Sequence, residues 1–424
     1  MSRGTSVVRR VMPVVCGVLL VAVPYPASAQ PQARTVVEGL DSPTGIAFLA
    51  DGTMVVGQRA GAIGAVAPRG SEVEGIAEIP TVVEGETGLV GIAVTPDATS
   101  VYAFATESDG ESNSIWRVGI EGGEPERIVT GMPAGLYHNG GGLAFDRDGM
   151  LLAANGESHN TDLAQDPSAF GGKVYRFTPE GEIPRDNPFD GSPALAVGLR
   201  NPFGLTVDPL TGTPWVTENG PSSFDEVNRI ISGGNYGWPE ISGPAPEGTA
   251  TGDLIGDYQD PAIAYEDIIV PTGLAFSGAN AMEEYAGDLF FAAYGEGALH
   301  HLELDHARER VVSDEILHQG EEPIIAVAWG PEGLYFSTLD SIEVIPIAAE
   351  EEEETPGDAT GTVAPSPTPR DPPALTGDDD DDGRSVLGVL LIVVVVAALL
   401  IAFLATRRRL NESTRDDGSQ PPGV

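Results

Sequence analysis

Pro43-Thr-Gly-Ile-Ala-Phe48, followed by Asp51-Gly52 and then Met54-Val-Val56, reads as an apolar strand, a tight turn and a second apolar strand. The phrase returns as Gly91-Ile-Ala-Val94 with Pro96-Asp97 and Val101-Tyr-Ala-Phe104, and as Gly142-Leu-Ala-Phe145 with Asp148-Gly149 and Leu151-Leu-Ala-Ala154. Further copies are Gly204-Leu-Thr-Val207 with Asp208-Pro209 and Trp215-Val216, Gly273-Leu-Ala-Phe276 with Gly287-Asp288 and Leu289-Phe-Phe-Ala292, and Ala326-Val-Ala-Trp329 with Pro331-Glu-Gly333 and Leu334-Tyr-Phe-Ser337. Each copy is a hairpin signal. Successive copies stand 46, 51, 62, 69 and 53 residues apart, and a blade of four-stranded sheet uses about 40–50 residues. Six copies therefore predict an all-β, six-bladed β-propeller over residues 30–347, with loop insertions in the longer intervals. Two stacked sandwiches would not require six copies of one phrase.

The composition agrees. Gly 54 and Pro 35 suit many short strands joined by tight turns, and 41% hydrophobic residues suffice for a large core. With 22 Lys+Arg against 64 Asp+Glu, the net charge is −42. That charge excludes a nucleic-acid binder, because phosphate neutralisation needs a basic surface. Lys173 is the only lysine.

Both ends of the chain carry legible signals. Arg3, Arg9 and Arg10, the apolar Val11 to Val23 and Ala27-Ser28-Ala29 read as a signal peptide over residues 1–29, and the single cysteine, Cys16, falls inside it. The exported chain then has no disulfide. Val386 to Ala405 is an unbroken apolar run; twenty residues rising about 1.5 Å each span roughly 30 Å, the thickness of a bilayer core. Arg407, Arg408 and Arg409 follow it. The positive-inside rule therefore puts the tail, residues 406–424, in the cytoplasm and the propeller outside. Between propeller and helix, residues 348–385 hold Glu350 to Glu354, a Pro-Ser-Pro-Thr-Pro run and Asp378 to Asp382. This composition buries no core and predicts a disordered stalk.

Three stretches depart from the repeat phrase. Tyr137-His138-Asn139-Gly140-Gly141-Gly142 sets a histidine beside glycines that allow close backbone approach, and an imidazole takes a proton near neutral pH. Gly198-Leu-Arg200-Asn201-Pro202 offers a cation and an amide on a rigid loop, either for a ligand or as an inter-blade hydrogen-bond clamp. Glu218-Asn219-Gly220-Pro221, with Asp225-Glu226 and Gly234-Asn235-Tyr236-Gly237-Trp238-Pro239, supplies free carbonyls at Gly220 and Pro221 and carboxylates at Asp225 and Glu226, hard oxygen donors suited to calcium. His159, His300, His301, His306 and His318 have no metal-ligand spacing and read as ordinary surface or core residues.

Together with Ala164-Gln165-Asp166, Gly172-Lys173-Val174-Tyr175-Arg176 and Ile183-Pro-Arg-Asp-Asn-Pro-Phe189, these stretches resemble the glucose/sorbosone dehydrogenase family from about Val36 to Ile345. Its members are soluble aldose dehydrogenases that use pyrroloquinoline quinone (PQQ) and calcium. The resemblance implies that His138 is the catalytic base and that Arg200 and Asn201 contact the quinone. It implies that Gly220 and Pro221 hold a catalytic calcium, and that Glu226 and Tyr236 hold a structural one. It implies a sugar substrate and an external electron acceptor. The family's pair of arginines before the sixth repeat falls at Pro323 and Ile325, and its cofactor-binding lysine falls near Tyr294 to Gly297, where there is no cation. Its glutamine before the second repeat is Glu86, an acid facing the cofactor position. Three lost charge-assisted hydrogen bonds amount to about 5–9 kcal/mol of anion affinity. The sequence thus leads to a membrane-anchored PQQ- and calcium-dependent sugar dehydrogenase with a reduced cofactor clamp. The alternatives are a non-catalytic, calcium-stabilised propeller that binds a protein or glycan and, by analogy of fold, a calcium-dependent hydrolase of the lactonase kind.

Overall fold

Every copy of the repeated phrase forms the inner hairpin of one four-stranded antiparallel sheet in the computed structural model, which describes residues 32–349. The signal peptide, most of the stalk, the Val386–Ala405 helix and the tail lie outside the described residues. Blade 1 runs outward through Pro43–Phe48, Met54–Gln58, Ala62–Val66 and Val73–Glu78. Blade 2 is Leu89–Val94, Ser100–Thr106, Ser112–Gly119 and Glu126–Pro133. Blade 3 is Leu143–Phe145, Leu151–Asn155, Lys173–Phe177 and Ala194–Ala196, and blade 4 is Pro202–Val207, Pro214–Glu218, Asp225–Arg229 and Ile263–Tyr265. Blade 5 is Pro271–Phe276, Leu289–Ala293, Ala298–Leu304 and Val311–Gln319. Blade 6 takes Val327–Gly330, Gly333–Ser337 and Ser341–Ile345 from the C-terminal side and its outer strand, Arg34–Glu38, from the N-terminal side. Arg34 pairs with Val344 and Glu38 with Ser341, so the ring is closed by joining the two ends of the domain.

The glycine that opens the phrase marks where one inner strand crosses the next. A methyl group at Gly91 would stand 2.3 Å from the Gly141 carbonyl oxygen, and one at Gly204 would stand 2.4 Å from that of Thr272. Any side chain there would push adjacent blades apart. The ladder also shifts register at this point, between Leu89 and Gly91 and between Pro202 and Leu205.

The second strand of each blade is apolar on both faces because both faces meet a neighbouring blade. In blade 3, Leu151 and Ala153 pack against blade 2, while Leu152 and Ala154 pack against blade 4. The described residues contain six such apolar clusters, one at each blade interface. Fully buried side chains such as Phe104 and Phe336 contribute about 1.5–3 kcal/mol each.

The longer intervals hold insertions. One carries the 3-10 turn Thr161–Leu163, and the other carries a two-stranded parallel pair, Gly234–Asn235 with Asp257–Tyr258. Lys173 is fully buried, and its ammonium donates to the carbonyls of Leu163 and Gly171. Burial pushes it down to about 8, and it braces the insertion. Among the described residues no helix is long and apolar enough to cross a membrane.

Candidate active site

In an antiparallel blade the loop that enters the inner strand and the loop that follows the second strand lie at the same end. His138, Glu86, Arg200, Asn201, Pro323 and Ile325 sit in or at the ends of entering loops. Arg59, Glu157, His159, Gly220, Pro221 and Tyr294 sit in loops that follow second strands. The topology therefore gathers them around one mouth of the channel. A cavity of about 260 Å3 opens there, lined by Arg59, Glu86, Asn201, Asn219, Tyr294 and Ile325 among others.

His138 is buried, and its backbone is in the left-handed region at φ 61°. Its N–H donates to a Glu86 carboxylate oxygen at 2.7 Å. Its Nδ1 lies 2.6 Å from Oε1 of Glu157, a carboxylate only 1% exposed whose Oε2 has no partner. With Nδ1–H donating to that carboxylate, Nε2 is the nitrogen left to accept a proton. The ring of His159 lies against that of His138 at 4.0 Å between centroids. The next loops are tied in directly. Gly140 N–H donates to Asn201 Oδ1 at 3.1 Å, and Glu157 N–H donates to the Arg200 carbonyl at 2.8 Å.

Glu218 Oε1 accepts from the backbone N–H groups of both Arg200 and Asn201, at 3.0 and 2.7 Å, while its Oε2 is buried without a partner. Burial pushes the Glu218 carboxyl well above the usual range. Burial likewise raises Glu226, although Asn228 and the Gly243 N–H donate to it. Arg200, Glu218, Gly220, Pro221, Glu226 and Tyr236 line one small cavity of about 10 Å3, room for one water-sized sphere.

Four details differ from the sequence reading. The Gly220 carbonyl is not free, because Arg200 Nη1 donates to it at 3.0 Å and to the Asn219 carbonyl at 2.9 Å. Asp225 spends both oxygens on the backbone N–H groups of Gly220, Ile269 and Val270, and so pins a turn. The Tyr236 hydroxyl is engaged by the Arg229 carbonyl and the Ile231 N–H, and burial pushes its ionisation up. Glu86 lines the cavity but also holds the His138 backbone, a task that a glutamine oxygen performs equally well.

Sequence reasoning missed Arg59, Glu157 and Glu218 and read His159 as ordinary. Glu218 is the last residue of a second strand and the others stand within five residues after one, so the register of the repeat was the available signal. Arg59 donates to the carbonyls of Gly85 and Thr87. Among the described residues, neither Arg59 nor Arg200 has a carboxylate within ion-pair distance. His300, by contrast, is braced by Asp314 and Glu296, and His301 by Asp288, all in blade 5.

A propeller with this mouth defines a class, and the comparisons specify it. The glucose/sorbosone dehydrogenase family matches residues 40–343, and the chain belongs to that family. The solved PQQ-bound aldose sugar dehydrogenase of Streptomyces coelicolor is 32% identical, with a TM-score of 0.65, over 74% of this chain and 98% of that one. The aldose sugar dehydrogenase of Escherichia coli K12 is 28% identical over 375 residues, 78% of this chain and 94% of the relative. Quinoprotein glucose dehydrogenase B of Acinetobacter calcoaceticus is 29% identical over 252 residues, 50% of this chain and 52% of the relative.

Proposed function

We propose that this chain is a PQQ- and calcium-dependent aldose dehydrogenase, exported and held at the membrane by the Val386–Ala405 segment. The observation that carries the proposal is His138: a buried imidazole with Nδ1 fixed by Glu157, in an entering loop at the same end of the ring as Arg59 and Arg200, which lack carboxylate partners.

The residues fit the two groups unequally. For calcium the donor set is hard oxygen around one small cavity: the carboxylates of Glu218 and Glu226, the Pro221 carbonyl and, on the lone pair that Arg200 does not use, the Gly220 carbonyl. The orphaned Glu218 Oε2 is the strongest argument for a cation there. For PQQ, Arg59, Arg200, Asn201 and Asn219 suit an anionic, oxygen-rich ring. Pro323, Ile325 and Tyr294 supply no charge where the family has cations. When bound, the quinone accepts hydride from the sugar carbon, and calcium acts as a Lewis acid.

The chain's own residues do the rest. His138 Nε2 takes the proton of the sugar hydroxyl as general base. The Glu157 carboxylate keeps the imidazole in one tautomer and faces the positive charge that develops on it. Glu86 holds the His138 backbone in its left-handed conformation. Equilibrium binding of PQQ to the purified calcium-loaded chain tests the reading, with His138→Asn expected to retain the cofactor and lose turnover. Wild-type protein with no affinity for PQQ at micromolar concentration would overturn it. That result would favour the non-catalytic, calcium-stabilised binding propeller, to which the uncharged Pro323 and Ile325 already point.

A further inference from the structure

We infer that His138, Glu157 and His159 form a binding site for a borderline divalent transition-metal ion of the Zn2+ type, separate from the calcium donors around Gly220. Candidate ligand atoms of the three side chains all lie within 4.8 Å of one another, and among the described residues no other group of three acidic, histidine or cysteine side chains is so arranged. Zinc bonds of 2.0–2.1 Å in a tetrahedron separate ligand atoms by about 3.4 Å. Closing the site takes shifts on the order of 1 Å: His138 Nδ1 and Glu157 Oε1, 2.6 Å apart across a shared proton, part as the ion replaces that proton, and the exposed His159 supplies the third ligand. The independent observation is Glu157 Oε2, a carboxylate oxygen buried with no hydrogen-bond partner beside two imidazoles. A buried anionic oxygen left unpaired is costly, and a cation is its natural complement.

The donor chemistry sets the ion class. Two imidazole nitrogens and one carboxylate oxygen suit zinc and its neighbours, whereas calcium and magnesium prefer all-oxygen sites. Three protein ligands leave one coordination position open, as in sites where a water or small ligand completes the shell. The site has a consequence for the proposed reaction. A His138 nitrogen that holds a metal cannot take a proton, so zinc and sugar oxidation exclude one another. That clause rests on the dehydrogenase reading; the binding claim does not.

The test is equilibrium titration of the purified full chain with zinc chloride in excess calcium. The expected result is one zinc per chain, with affinity lowered at least tenfold by His159→Asn and by Glu157→Gln. Asparagine is chosen because it tolerates the left-handed backbone at His159, φ 62°, and unchanged melting of the variants confirms that they fold. Less than one zinc per chain, displacement by millimolar calcium, or an affinity unmoved by both substitutions would overturn the site. Zinc is also expected to inhibit wild-type sugar oxidation and to spare His159→Asn. A chain that oxidises no sugar but binds zinc as described refutes the dehydrogenase reading and leaves the metal site standing.

Discussion

Removing calcium should destabilise the propeller by an amount that grows with pH, and the buried carboxylates fix the sign. Burial raises the carboxyls of Glu218, Asp225 and Glu226 above their ordinary values. In the metal-free protein the folded state therefore holds more protons than the unfolded chain, from the ordinary glutamate value of 4.5 upward. Their contribution to stability is complete below that value and is lost as pH rises through the folded-state values. A calcium ion between Glu218 and Glu226 reverses their share of the penalty by neutralising the charge, whereas Asp225 stays on its backbone partners. At a calcium concentration one hundred times its dissociation constant, the gain is about 2.7 kcal/mol, or about 5 °C in Tm for a domain of this size. That shift is expected near pH 8 and should shrink toward zero as the pH approaches 4.5, where protons take the place of the ion. Thermal melts with calcium and with chelator across this range measure it directly. Glu226→Gln should abolish most of the shift while folding normally, because the buried Asn228 Oδ1, now without a partner, can accept from the new amide after Asn228 turns over. A calcium shift that is the same at both ends of the range, or a metal-free protein that gains stability as pH rises, would refute this reasoning.

The other expectations are simpler. His138→Asn should lower turnover at least about a hundredfold with little change in melting, since asparagine accepts the φ of 61°, whereas His138→Ala should melt lower as well by about 1–2 kcal/mol; steady-state kinetics and calorimetry separate the two. Gly142→Ala should cost about 1–3 kcal/mol in urea unfolding, because its methyl group would stand 2.7 Å from Leu205 and from the Phe203 carbonyl at the seam of blades 3 and 4. Protease added to intact cells should cut within residues 348–385 and release nearly the whole propeller; full protection in cells with no barrier around the membrane would contradict the proposed topology.

The ring itself was legible because its constraint is local. A glycine opens five of the six phrases where inner strands cross, so Gly45, Gly91, Gly142, Gly204 and Gly273 mark five blades in the text of the sequence, and Ala326 stands at the sixth. The closing strand Arg34–Glu38 carries no such phrase, and its partner Ser341–Ile345 lies some three hundred residues away. The same division runs through the site. His138, Arg200 and Asn201 stand out against glycine and proline, but Glu157, Glu218 and Arg59 are single residues at or just after strand ends, meaningful only once the blades bring them to one mouth. Asp225 was legible as an acid in a promising loop, yet its three backbone partners come from segments up to 45 residues distant. In a chain with 64 acidic residues, identity alone does not separate a turn clamp from a cation ligand.

One measurement bears most directly on the central claim: reduction of a dye acceptor by an aldose panel, catalysed by the purified chain supplied with PQQ and calcium. The expected result is sugar-dependent turnover that requires both additions and falls at least about a hundredfold in His138→Asn. No oxidation of any aldose by a folded, calcium-loaded wild type, or turnover untouched by loss of His138, would contradict it.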